Sequence, residues 1–169
     1  MNPQTLSDRY RVRPIADGDF GAVLALLEGN PLYFFHCPPA PSRSSIAHDR
    51  AALPPGKRPA DKLYLGFWDD ALLVAVLDLV LGYPDDETAL IGFFMMQASR
   101  QGTGEGSAII QALLKTLFRS FRYVRLMAVT DNAQAQHFWK KNGFLPTGTV
   151  IEQERYTVSV LQRARPTVR

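Results

Sequence analysis

The chain has 169 residues, 46% of them apolar, a formal net charge of +3 and one cysteine. A chain of this size buries about 70% of the surface its unfolded form exposes, and the lone Cys37 excludes an intramolecular disulfide or a thiolate metal cluster. The mild and dispersed positive charge speaks against a nucleic-acid binder, and no apolar run approaches the length of a membrane span.

From the amino terminus, Met1 to Arg11 is polar and lacks the apolar core of a signal peptide, so a cytoplasmic location is expected. A strand is predicted around Tyr10 to Pro14. A helix follows from about Asp17 to Glu28, where Phe20, Val23, Leu24 and Leu27 recur at helical spacing until Gly29-Asn30-Pro31 stops it. Leu32 to Pro39 is an aromatic, proline-rich cluster that reads equally as packing at the mouth of a cleft or as substrate contact. A short helix from Ser42 or Ser44 to about Leu53 precedes Pro54 to Pro59, the segment expected to be most flexible. Lys62 to Trp68 and Leu72 to Tyr83 flank Asp69-Asp70 as an antiparallel hairpin, and Thr88 to Met96 adds a third strand. Gly92 inside that strand predicts a bulge or a close backbone approach. Val124 to Val129 is a further strand. Leu145 to Ile151 and Arg155 to Leu161 form a last hairpin, with a frayed tail from Arg163 to Arg169. These elements predict one domain over residues 1–169 in the α/β class, a mixed, mostly antiparallel central sheet flanked by helices.

The stretch Gln101-Gly102-Thr103-Gly104-Glu105-Gly106 lies between the third strand and a helix beginning near Ser107. Ile109, Ile110, Leu113, Leu114, Leu117 and Phe118 form the apolar stripe of that helix. Alternating glycines let backbone N–H groups close around an anion, and a helix N-terminus adds partial positive charge, so a phosphorylated ligand is expected here. A Walker A loop would need Lys after the glycines, and a dinucleotide fingerprint would need Gly where Ser107 stands. Both are absent, which disfavours an ATPase or a nicotinamide dehydrogenase. Arg119, Arg122 and Arg125 cluster near the end of this helix and read as a solvated face rather than a nucleic-acid patch.

Downstream, Asn132 to Phe144 reads N-A-Q-A-Q-H-F-W-K-K-N-G-F, a short helix with Ala135, Phe138 and Trp139 on one face that Gly143 can end. The loop Q-x-x-G-x-G followed by N-x-x-A-x-x-F-W-x-x-x-G-F resembles the GCN5-related N-acetyltransferase family. The resemblance is close over residues 88–161. It implies acetyl transfer from acetyl-coenzyme A to a primary amine by direct attack, and because no His, Cys or carboxylate spacing resembles a metal site, no metal is expected. It also implies a strand before the loop splayed from its neighbour, so that the backbone of Phe94, Met95 and Met96 pairs with the pantetheine arm. Gln101, Gly102, Thr103, Gly104, Glu105, Gly106 and Ser107 would wrap the pyrophosphate, with Glu105 projecting outward. Asn132 would both cap its helix and bind the pantetheine amide, and Trp139 would pack on the cofactor.

Acyl transfer requires deprotonation of the amine, stabilisation of the carbonyl oxygen and a fate for the leaving thiolate. Many relatives use a Tyr as acid where this chain has Trp139, whose indole N–H is too weak an acid for that step. Asp78, alone in an apolar strand, is the candidate base; alternation turning it to solvent, or an Arg partner, are the competing readings. Tyr33, His36 and Tyr83 are candidate shapers of the amine pocket. His137, about 200° around its helix from Trp139, faces away from the cofactor, and Asp86 and Glu87 are inert turn residues. The acceptor, a small-molecule or protein amine, is not legible, and the last hairpin offers an edge for a homodimer. Two other functions compete: a non-catalytic acyl-CoA sensor or regulatory module, and an ATP-binding protein.

Overall fold

Seven strands form one sheet in the order β1-β2-β3-β4-β5-β7-β6 in the computed structural model, which describes residues 1–167. The strands are β1 (Arg11–Pro14), β2 (Lys62–Asp69), β3 (Leu72–Leu81), β4 (Thr88–Met96), β5 (Tyr123–Val129), β6 (Leu145–Glu152) and β7 (Thr157–Ala164). Every neighbouring pair is antiparallel except β4 and β5. That one parallel pair requires a crossover, which α4 (Glu105–Leu117) supplies.

Period-two alternation sends the sheet's side chains into two cores. Leu65, Phe67, Val74 and Leu77 face α4 and α5 (Ala133–Lys141), joined by Ile109, Ile110, Leu113, Leu114 and Leu117 from the predicted stripe. Tyr64, Trp68, Leu73, Val76 and Met95 face α1 (Phe20–Glu28), α2 (Pro31–His36) and α3 (Arg43–Ala51). Each such aliphatic, fully buried, contributes about 1.5–3 kcal/mol. None of the helices among the described residues is long and apolar enough to cross a membrane.

Helix boundaries follow local chemistry. The Ser42 side chain accepts from the Ser45 N–H and the Ser45 side chain accepts from the Ser42 N–H, each at 3.0 Å, so α3 begins at Arg43. The aromatic cluster after Pro31 is itself a short helix, with Pro31 at its first position, where a missing N–H costs nothing. The expected start of α4 moves from Ser107 back to Glu105, because left-handed Gly104 turns the chain into the helix. Within residues 54–59, the Lys57 ammonium donates to the Gly82 carbonyl at 3.0 Å. The expected tail is corrected too. Arg163 and Ala164 continue β7, and the Arg165 N–H donates to the Arg122 carbonyl at 2.8 Å. Val168 and Arg169 lie outside the described residues.

Candidate active site

The glycine loop leaves β4 through a 3-10 turn at Ala98–Arg100. Gly102 and Gly104 have φ of 75° and 87°, a region where a side chain costs about 1–2 kcal/mol. Gly106 serves a different need: a β-carbon there would lie 3.2 Å from Met96 Cγ and 3.3 Å from the Phe138 ring, so its absence lets α4 close onto β4 and α5. The N–H groups of Gly102, Thr103, Gly104, Gly106 and Ser107 find no acceptor among the described residues. Together with the α4 N-terminus they make a positive, donor-rich concavity suited to a phosphate.

Side chains brace this loop from behind. The Gln101 amide donates to Asn30 Oδ1 at 2.5 Å and to the Met96 carbonyl at 3.1 Å, fixing the loop to the end of α1. Glu105, an anion in a site for anions, is turned away and neutralised. Its carboxylate accepts from the Tyr10 hydroxyl, lies 3.3 Å from Arg100 Nη1 and 3.8 Å from Arg9 Nη2. The Tyr10 hydrogen bond, then the two guanidinium groups, hold the Glu105 carboxyl below its usual range. Tyr10 in turn is pushed up to about 12, by burial and by this carboxylate. Ser107 Oγ accepts from the buried Asn142 amide at 3.1 Å, which links the start of α4 to the end of α5.

Ahead of the loop the sheet opens. β4 and β5 pair only from Thr88–Ile91 against Tyr123–Leu126, and beyond that register they part. Gly92 occupies a bulge at the point of parting: Asp78 faces Phe93 and the next residue, Leu79, faces Ile91. Between the diverging strands lies a cleft of about 190 Å³, walled by Gly92 to Phe94 on β4 and by Met127 to Val129 on β5. Asn132 and Trp139 of the α5 segment also line it. Asn132 caps α5, its side-chain oxygen accepting from the Ala135 N–H at 3.0 Å. Trp139 packs edge-on to Phe138 and Phe144 at centroid distances of 5.0 and 5.2 Å.

Of the residues singled out in the sequence, Phe94, Asn132, Trp139 and Tyr33 meet in the cleft, with the glycine loop following β4. Met95 and Met96 bury their side chains in the two opposite cores while their backbone continues along the stretch of β4 that β5 leaves unpaired. Two pocket candidates stand apart from this cleft. His36 does not line the cleft; its ring packs on Phe35. Tyr83 sits at the β3–β4 turn, donating its N–H to the Thr88 carbonyl, and the run of β4 from Thr88 to Ile91, ~10 Å of strand, separates it from the near end of the cleft. His137 is exposed, as are Asp86 and Glu87.

Asp78 is placed neither in solvent nor beside an arginine. Its Oδ2 lies 3.0 Å from Lys62 Nζ, with the two side chains 13% and 6% exposed. Lys62 reaches it diagonally, from two residues before Tyr64, the register partner of Asp78 on β2. Burial raises the Asp78 carboxyl above its usual range, against the pull of Lys62. The carboxylate abuts Gly92 from behind, where a β-carbon would be 3.1 Å from Oδ2, but it does not line the cleft.

Of the cover of the cleft, sequence reasoning found Tyr33 but missed Cys37 and Tyr156. Tyr33 and Cys37 reach it from α2 and its C-cap, and Tyr156 from the turn between β6 and β7. Both phenols lie beside the Cys37 thiol. Burial first, then Cys37, carries the Tyr33 phenol far above its usual range, while Tyr156 is pushed up to about 12, first by the neighbouring Cys37 thiol and then by burial. Only folding brings the Tyr156 turn over α2, so no local sequence signal announced it.

Known proteins share this fold. A family model described as Acetyltransferase (GNAT) family matches residues 26–144. No curated protein matches the chain by sequence. An acetyltransferase from Thermus thermophilus superposes with a TM-score of 0.73 at 20% identity, covering 92% of this chain and 96% of that one. The ribosomal-protein-S18-alanine N-acetyltransferase from Escherichia coli gives 0.68 at 13% identity, with 94% and 95% covered. Spermidine N-acetyltransferase from Vibrio cholerae, solved with CoA and spermine, gives 0.69 at 15% identity, with 94% and 96% covered. With its family model spanning well over half of the sequence and the fold shared nearly end to end, the chain belongs to the GNAT family of acetyltransferases.

Proposed function

We propose that the protein transfers an acetyl group from acetyl-CoA to a primary amine by direct attack. One observation carries this reading: a donor-rich loop with unpaired amides directly follows a strand whose edge is left open beside a cleft. The loop amides of 102–107 and the α4 N-terminus bind the pyrophosphate. The open edge of β4 at Phe94, Met95 and Met96 receives the pantetheine arm as an added strand would be received. Asn132 binds an arm amide while capping α5, and Trp139 supplies an apolar wall. The bulge at Gly92 frees backbone from the ladder where the thioester carbonyl would lie, so donors can meet the charge that develops on its oxygen. The amine enters on the side covered by Tyr33 and Tyr156. No residue needs to carry the acyl group, because amine and thioester meet in one cleft.

Calorimetric titration of acetyl-CoA into the parent and a Gly104→Glu variant tests the phosphate cradle, with Gly104→Ala separating backbone strain from charge. Binding is expected to weaken slightly in the alanine variant and to be lost in the glutamate variant. Equal binding by parent and Gly104→Glu removes the cradle. A second reading, a non-catalytic acyl-CoA sensor, is favoured by Trp139 standing where a proton donor is wanted. Thiol release with a panel of amines separates the two.

A further inference from the structure

Breaking the thioester leaves sulfur with the bonding electron pair, so a nearby acid speeds departure by donating a proton as the bond breaks. Among the cleft-lining side chains, only Tyr33, Cys37 and Tyr156 carry an ionisable O–H or S–H proton. Trp139 carries an N–H that is not acidic enough. Tyr33 is committed to packing: its ring is edge-on to Phe34 at 5.0 Å and to Phe93 at 5.5 Å, against the α1–α3 core. Tyr156 has no aromatic partner among the described residues and is only half-buried. Its position is nonetheless fixed. Its carbonyl accepts from the Gln153 N–H at 2.8 Å, and the carbonyl of the next residue, Thr157, accepts from the Thr130 N–H at 2.8 Å. The second of these bonds ties the hairpin to the end of β5, the wall opposite β4, and Tyr156 lines the cleft between the two strands with its phenol beside Cys37.

We propose that Tyr156 is the general acid of the acetyl transfer, donating its hydroxyl proton to the departing sulfur of CoA. This rests on the acetyl-CoA reading above. As the amine nitrogen bonds to the acetyl carbon, the C–S bond breaks and its electron pair goes to sulfur. The Tyr156 proton then joins sulfur to give the free thiol. The resulting phenolate recovers a proton from solvent, which has taken the one the amine released. The overall change is amine plus acetyl-CoA to amide plus CoA.

The test needs no acceptor. A phenol that donates to the sulfur also stabilises the thiolate of bound CoA and lowers its pKa. In a Cys37→Ala background, which removes the only protein thiol, CoA is bound and its thiolate is titrated by ultraviolet absorbance. Adding Tyr156→Phe is expected to raise the bound thiol's pKa by about one unit, a tenfold change, whereas Tyr33→Phe leaves it in place. An unchanged pKa in Tyr156→Phe, or a shift produced by Tyr33→Phe instead, overturns the assignment. Failure of CoA to bind the parent at all is the separate result that sinks the acetyl-CoA reading, and the assignment with it. With an acceptor in hand, Tyr156→Phe is expected to lower kcat about 100-fold while leaving the KM for acetyl-CoA near the parent value.

Discussion

Replacing Lys62 by Met keeps the length of the side chain and deletes its charge, which isolates what the ion pair behind Gly92 contributes. Lys62 donates to Asp78 Oδ2 and to the carbonyls of Asp49 and Ala52 at the end of α3, so three acceptors lose a donor together. Breaking a buried pair from one side costs about 3–5 kcal/mol, because the remaining charge is left uncompensated. At about 2–4 °C per kcal/mol for a chain of this length, Tm falls on the order of 10 °C. Urea unfolding followed by the fluorescence of the buried Trp68 and Trp139 measures the loss. Its pH dependence has a definite sign. Without Lys62 the folded Asp78 carboxyl rises further above the parent's already raised value, so the variant's deficit grows as pH rises through the parent's folded value, which lies above 3.8, and is smallest below it, where Asp78 is neutral in both folded proteins. Adding Asp78→Leu is expected to recover stability to the parent level or beyond, since an apolar pair replaces a buried ionic one. A loss under about 1 kcal/mol, or a deficit that is the same at pH 4 and pH 7, refutes the buried-pair account.

Asn132→Ala removes the cap of α5 and is expected to cost about 1 kcal/mol in thermal unfolding; calorimetry should show weaker acetyl-CoA binding as well, and unaltered affinity would separate the cap from any cofactor role. The Glu105 carboxyl is held low chiefly by Tyr10, so the stability it contributes is present above its unfolded pKa of about 4.5 and lost as pH falls through the lower folded value. Tyr10→Phe should flatten that acid limb in urea midpoints measured between pH 3 and 5.5, and an identical limb in both proteins would contradict the assignment.

The central half of the fold was legible because its signals are local. The α4 stripe, the turn glycines at 102 and 104 and the Asn132 cap each announce themselves within a few residues, and Gly92 marked its own bulge. The residues that escaped depend on pairing across the sheet. Lys62 lies on another strand from Asp78, and only the β2–β3 register makes them neighbours. Tyr83 stood beside Tyr33 as a pocket candidate, yet the chain path leaves one in the β3–β4 turn and brings the other to the cleft. The short helix at Pro31 was obscured because its aromatic residues show no stripe over so few turns.

The hydroxyl of Tyr10 on Glu105 joins two places remote in sequence, the beginning of the chain and the glycine loop. Trimming the first ten residues would release that carboxylate beside the very amides proposed to hold a diphosphate, and its repulsion would register as poorer cofactor capture with the cleft itself untouched. Truncation at this end is therefore expected to weaken cofactor capture, although the segment supplies no residue that lines the cleft.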